Sequence, residues 1–209
     1  MEKMKESSLN DFIIDLSSNS FSPGGGSACA LVGAISNSLA IMAANLTKDK
    51  KKFQDKKQYL ETLIQQSNQL NERLLDAMDK DKTAFEPLAK AYKLSKDDPN
   101  KEEKIQQGLL SAYKAPFELL LIMKEVVELI RQYSNNCSKL VLSDVATAAG
   151  LVIGTIYGIK INILVNTAAI KDDKLRLSLE QQTNQLAQSC INEAEIIYKY
   201  SLERIVANG

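Results

Sequence analysis

The chain has 209 residues, 44% of them hydrophobic and 25% charged, with 26 basic residues balanced by 26 acidic ones. That length can bury a substantial core, and the zero formal charge argues against a nucleic-acid-binding protein, which would carry a basic excess or stripe. Histidine is absent, which excludes His-based catalytic triads and disfavours the commonest zinc and iron sites; any enzymatic proton transfer falls to Asp, Glu, Lys, Tyr or water.

In chain order, residues 1–10 are polar and charged, without the apolar run of a targeting signal. Residues 9–16 are predicted as a short amphipathic helix with Leu9, Phe12, Ile13 and Leu16 on one face. Residues 17–26 read as a Ser, Asn and Gly-rich loop that includes Phe21 and ends in Pro23-Gly24-Gly25-Gly26. A helix from 27 to about 47 is apolar nearly all round, with small residues at Ala28, Ala30, Gly33, Ala34 and Ser36, so it is expected inside the bundle. Residues 48–57 carry six lysines and read as a solvated helix start. The following helix runs to about residue 79 with a packed stripe of Leu60, Leu63, Ile64, Leu70, Leu74 and Leu75. Residues 81–94 continue as helix, kinked near Pro87.

Residues 95–100 form a turn, with Pro99 placed to start the next helix, 101–133, which Pro116 is expected to bend. After a break at 135–143, Ser143 or Asp144 is expected to cap a second very apolar helix reaching about residue 170. Its Ala146, Ala148, Ala149, Gly150, Gly154 and Gly158 invite tight packing. A last helix covers 172–206. The longest nearly unbroken apolar stretch, 145–159, is short of the ~20 residues that span a bilayer, so no membrane and a cytoplasmic location are expected. The three cysteines at 29, 137 and 190 fit neither a metal site nor a disulfide framework. With no linker or composition shift, residues 1–209 read as a single all-α domain. The expected architecture is a bundle of long, mostly antiparallel helices with two buried small-residue-rich members.

Two features point to chemistry. Three consecutive glycines where a helix begins allow a ligand to approach main chain and unpaired N–H groups closely; the alternative is a flexible turn with Ser27 as N-cap. Asn37 and Asn45 interrupt the first apolar helix, and Asn162 and Asn166 the second. The latter two are four residues apart, hence on one face. Each buried amide needs a partner, either across helices or on a ligand. Two amides with Asp144 at the helix start and Asp172 just past its end suit a planar heterocycle with alternating donors and acceptors.

These residues resemble a known family. Pro-Gly-Gly-Gly-Ser at 23–27, an Ala-rich helix ending Ala43-Ala44-Asn45-Leu46-Thr47, then Ser143-Asp144-Val145-Ala146-Thr147-Ala148-Ala149, Asn162-Ile163-Leu164-Val165-Asn166 and Lys171-Asp172 follow, in order and spacing, the pattern of the formiminotetrahydrofolate cyclodeaminase and methenyltetrahydrofolate cyclohydrolase family. Asp81, Ala84 and Phe85 fit a weaker element, and Cys137-Ser138 stands where the family usually has Gly-Asn. The resemblance implies one-carbon chemistry on a tetrahydrofolate, by acid–base groups and without metal or any cofactor beyond that substrate. It implies Asp144 as the acid–base or cation-stabilising residue, with Gly24, Gly25, Gly26, Ser27, Asp81, Asn162, Asn166 and Asp172 as substrate-binding positions. Lysines at 48–57 are candidates for the glutamate tail. A homodimer is also implied. The alternative is a non-catalytic helical oligomer that binds a ligand or acts as a scaffold.

Overall fold

The computed structural model describes residues 4–20 and 22–207, with every described side chain except that of Lys82; residues 1–3, 21 and 208–209 of the expected unit, Phe21 among them, lie outside the described residues. Six α-helices account for most of them: α1 (Leu9–Leu16), α2 (Gly25–Lys48), α3 (Lys57–Tyr92), α4 (Lys101–Asn136), α5 (Leu142–Thr167) and α6 (Asp173–Val206). No strand occurs among the described residues, as the all-α reading requires. Short 3-10 turns at Lys51–Lys56 and Lys139–Val141 join α2 to α3 and α4 to α5.

Helices α2 and α5 form the centre. Along α2, Ala30, Ala40, Ala43 and Ala44 are buried, and along α5 so are Val145, Ala148, Ala149, Val152, Ile156 and Ile159. Small side chains on α2 let α5 and α3 approach its axis closely, which is where dispersion and apolar burial are gained. The two run antiparallel. Cys29 meets Gly158 at one end, and at the other the Ser138 amide donates to Thr47 Oγ1 at 3.0 Å. Asn37 is fully buried inside α2 and donates to α3, to the Ser67 carbonyl at 2.7 Å and to Asn71 Oδ1 at 2.8 Å, while its own buried Oδ1 accepts no hydrogen bond from a described residue. Asn45 faces solvent.

Several local expectations are corrected. Of the apolar face expected on α1, Leu9 and Ile13 are exposed, Leu16 is half-buried, and Phe12 alone enters the core, because so short a helix touches the bundle along only one line. Helix α3 does continue past residue 79, as expected, as one helix with Pro87 in its interior. Helix α2 begins at Gly25, with Gly24 at its N-cap, so Ser27 is no cap; its hydroxyl donates to the Met78 carbonyl at 2.7 Å and ties α2 to α3. Neither Ser143 nor Asp144 caps α5. The 3-10 turn carries the chain into the helix so that Val141 takes the N-cap position, leaving both residues in the first turn. Gly150 and Gly154 do not pack as expected: both are exposed, and a Cβ on either would meet nothing within 4 Å.

The apolar character of the central helices also extends further than the 145–159 stretch: α2 and the segment Lys139–Thr167 are each long and apolar enough to cross a membrane by length and composition. In the fold both serve as core helices, although α5 keeps one face outward. The lysines at 48–57 are more engaged than a solvated start. Lys57 pairs with Asp49 at 2.7 Å, while Lys50 and Lys56 donate to Ser138 Oγ and Asn136 Oδ1 at 3.1 and 3.0 Å.

Candidate active site

One end of the α2–α5 pair, with the second half of α3 and the middle of α4, encloses a cleft of about 780 Å³. Gly24 and Gly25 form one lip, Asp81, Phe85 and Tyr92 line α3, and Asn162 and Asn166 project from α5. Three elements far apart in sequence therefore meet, and glycine is what permits it. A Cβ on Gly26 would stand 2.3 Å from Asp81 Oδ1, and one on Gly25 would stand 3.0 Å from Asn162 Nδ2. The first is an outright overlap, so a larger residue at 26 would displace the Asp81 carboxyl, while the second is tight and the Asn162 amide would have to give by a few tenths of an ångström.

Asp81 is half-buried and pairs with no described cation; burial alone raises its carboxyl above the usual aspartate range. The first turn of α2 beside it carries unpaired N–H groups and the positive end of the helix dipole. Beneath it, the Cys29 thiol is pushed up to about 11, mainly by burial and secondarily by the Asp81 charge, so it stays protonated at neutral pH and is a poor nucleophile. Asp81 is thus the desolvated carboxyl of the cleft.

The two asparagines spend their N–H groups on main chain. Asn162 Nδ2 donates to its own helix at the Gly158 carbonyl, 2.8 Å away, and Asn166 Nδ2 donates to the carbonyls of Asn162 and Ala112, both at 3.1 Å. The Ala112 bond has a specific cause. Residue 116 is proline and has no N–H, so the carbonyl four residues earlier lacks its helical donor, and Asn166 supplies one. Asn162 keeps one amide hydrogen without a described acceptor, and Asn162 Oδ1 and Asn166 Oδ1 accept no hydrogen bond from a described residue. The polar end of the cleft therefore offers three acceptors, two amide oxygens and one desolvated carboxyl, beside the N–H donors at the start of α2. Those acceptors suit a ligand group that is cationic or presents N–H donors.

The family model for formiminotransferase-cyclodeaminase matches residues 8–185 of the chain. The chain belongs to that family. It is 24% identical over 200 residues to formimidoyltransferase-cyclodeaminase of Mus musculus, a match covering 94% of this chain and 37% of that protein. It is 28% identical over 168 residues to methenyltetrahydrofolate cyclohydrolase of Methylorubrum extorquens, covering 78% of this chain and 81% of the relative. The crystal structure of formiminotetrahydrofolate cyclodeaminase from Thermotoga maritima superposes with a TM-score of 0.81 at 27% identity, over 93% of this chain and 97% of that one. The chain thus spans little more than a third of the mammalian relative and nearly all of the bacterial structure.

Against the expected site residues the geometry divides cleanly. Gly24, Gly25, Asp81, Asn162 and Asn166 line the cleft, and Gly26 backs Asp81. Ser27 is committed to the Met78 carbonyl. Asp172 lies outside the cleft as the N-cap of α6, where its carboxylate accepts the Leu175 amide at 3.0 Å. Asp144 stands on α5 with Asn162, but 18 residues away, about 27 Å along the axis at 1.5 Å per residue. Within one chain it cannot touch a ligand in the cleft. The lysines at 48–57 are likewise at the far end, about 35 Å along α2 from Gly25. Sequence reasoning passed over Tyr92, Lys93 and Pro116; the spacing of Asp81, Phe85, Ala89 and Tyr92, one stripe of α3, was the available signal.

Proposed function

We propose that the chain is a tetrahydrofolate one-carbon enzyme, a formiminotetrahydrofolate cyclodeaminase or methenyltetrahydrofolate cyclohydrolase, acting in the cleft between α2, α3 and α5. The observation that carries this reading is the desolvated Asp81 carboxyl seated on Gly26 beside two acceptor amides. In the deaminase reaction N10 of the folate attacks the formimino carbon on N5, the ring closes to the methenyl cation, and the former imine nitrogen leaves as ammonia after taking up protons. In the hydrolase reaction water adds to the same carbon, loses a proton, and one C–N bond breaks to give the formyl form. Both require a group that exchanges a proton at the bridging carbon, which is Asp81. Both also require negative or acceptor groups around the cation, which the Asn162 and Asn166 oxygens supply. No cofactor beyond the folate enters this scheme.

Asp144 takes part through a second copy. Eighteen residues are five full helical turns, so Asp144 and Asn162 share one side of α5. Gly150 and Gly154, open and without a neighbour, stand between them. They continue into Tyr157, Ile161 and Val165, all exposed. Two α5 helices crossing antiparallel at the glycines would set Asp144 of the partner subunit opposite the Asn162–Asn166 turn, and a two-fold axis there preserves the side on which both lie. The working unit is then a homodimer in which Asp81 exchanges the proton and the second carboxylate offsets the cation.

The test of the activity is direct. Purified protein is mixed with methenyltetrahydrofolate and its absorbance followed, and with the formimino substrate while ammonia is measured; acceleration of one reaction is expected. If both proceed at their uncatalysed rates while the protein is folded, the enzyme reading fails and the scaffold alternative stands.

A further inference from the structure

The cleft is chemically polarised along its length, and one of its charged residues has no use in the reaction at its polar end. Asp81, Asn162 and Gly25 make that end. Phe85, Ala89 and Val165 make an apolar middle. Lys93, the C-cap residue of α3, supplies a cation at the opposite end. It makes no ion pair with a described residue, whereas Glu86, the other lining acid, is paired with Lys90 at 3.9 Å. Lys93 is 12 residues beyond Asp81, about 18 Å along the helix. Helical side chains lean back toward the N-terminus, so its ammonium reaches toward the cleft and shortens that gap.

We propose that Lys93 determines which end of the substrate enters first, by pairing with the carboxylates of the folate's glutamate moiety. The order of chemistries along α3 matches the order along a reduced folate: a polar heterocycle with its one-carbon bridge, an aromatic benzoyl ring, and an anionic amino-acid end. A folate lying the other way would set its carboxylates against the Asp81 carboxylate, and like charge at that range is unfavourable. Orientation is therefore enforced by attraction at one end and repulsion at the other. The lysine is a specificity-determining residue, with no part in bond making. This inference rests on the folate reading of the cleft.

Equilibrium binding separates the two claims. The probes are 5-formyltetrahydrofolate and its glutamate dimethyl ester, which keeps the size of the tail and removes its charges. Wild-type protein is expected to prefer the free acid about fivefold, the scale of one exposed ion pair, with the preference shrinking as salt is raised. Lys93→Met is expected to bind both probes alike, Lys93→Arg to keep the preference, and Lys93→Glu to reverse it. A preference that persists in Lys93→Met, or an equal loss of affinity for both probes in that variant, overturns the assignment of Lys93 and leaves the folate reading standing. Failure of folded wild-type protein to bind either probe overturns the folate reading and this inference with it.

Discussion

The two ends of α5 are built from the same sort of sequence and do opposite things. At its C-terminal end Asn162 and Asn166 are fixed by three hydrogen bonds to main chain, and Asn162 packs on a glycine of α2 and faces a cleft. At its N-terminal end Asp144 has no such setting, and Gly150 and Gly154 open onto nothing within 4 Å. A small residue on an apolar helix therefore marks a place where something comes close only when another element supplies the approach. At Gly25 and Gly26 the visitors are side chains of the same chain; at Gly150 and Gly154 a second copy is the proposed one.

The largest effect that sharpens this comparison is expected at the cleft end. Asp81→Asn should lower turnover by ~10²–10⁴-fold, the range for loss of a general acid–base group, in a steady-state assay with methenyltetrahydrofolate. The same variant should be more stable than wild type at neutral pH. Burial raises the folded-state pKa of Asp81, so the native state binds a proton more tightly than the unfolded state. Stability therefore falls as pH rises from the ordinary aspartate value near 3.8 through the folded value. Asparagine removes that penalty, and urea titrations at acidic and neutral pH should show its advantage only at the higher one.

The far end is broken next. Asp144→Asn should also be inactive, yet a mixture of Asp81→Asn and Asp144→Asn chains, unfolded and refolded together, should recover activity. A mixed dimer has one cleft with both carboxylates, so random pairing returns about a quarter of wild-type turnover. No recovery would overturn the shared-cleft dimer and remove Asp144 from the mechanism, because within one chain Asp144 lies about 27 Å along α5 from Asn162 of the cleft.

Gly26→Ala should cost on the order of 10²-fold in turnover through displacement of Asp81, with circular dichroism showing the helices retained. Asn166→Ala should destabilise by ~1–3 kcal/mol in urea unfolding, because the Ala112 carbonyl loses its donor. Pro116→Ala should reduce that cost by restoring a helical N–H to the same carbonyl, so the pair should couple in a double-mutant cycle. Smallest is Asp172→Ala, about 1 kcal/mol from loss of the α6 cap, with activity per folded molecule little changed.

Periodicity made the helices legible, and glycine, asparagine and the ordered motifs made most of the cleft legible. The reading failed where a residue's type was clear and its neighbour was not. Asp172 carries a carboxylate that a ligand could use, but the helix start beside it took that acceptor. Ser27 looked like a cap, while the helix began two residues earlier and its hydroxyl crossed to α3. Tyr92 and Lys93 close a helix in an unremarkable stretch of sequence, and nothing local shows that α5 runs past them.

By itself, the sequence determined that this chain is all-α, that α2 and α5 are its central helices, and that any proton transfer falls to Asp, Glu, Lys, Tyr or water, because hydrophobic spacing and residue inventory are properties of the chain alone. Tertiary structure decided which carboxylate is desolvated at the cleft. Asp81, Asp144 and Asp172 are chemically identical, and only the packing of α2 on α3 desolvates the first, while α5 carries the second five turns from the cleft and α6 claims the third for its own backbone.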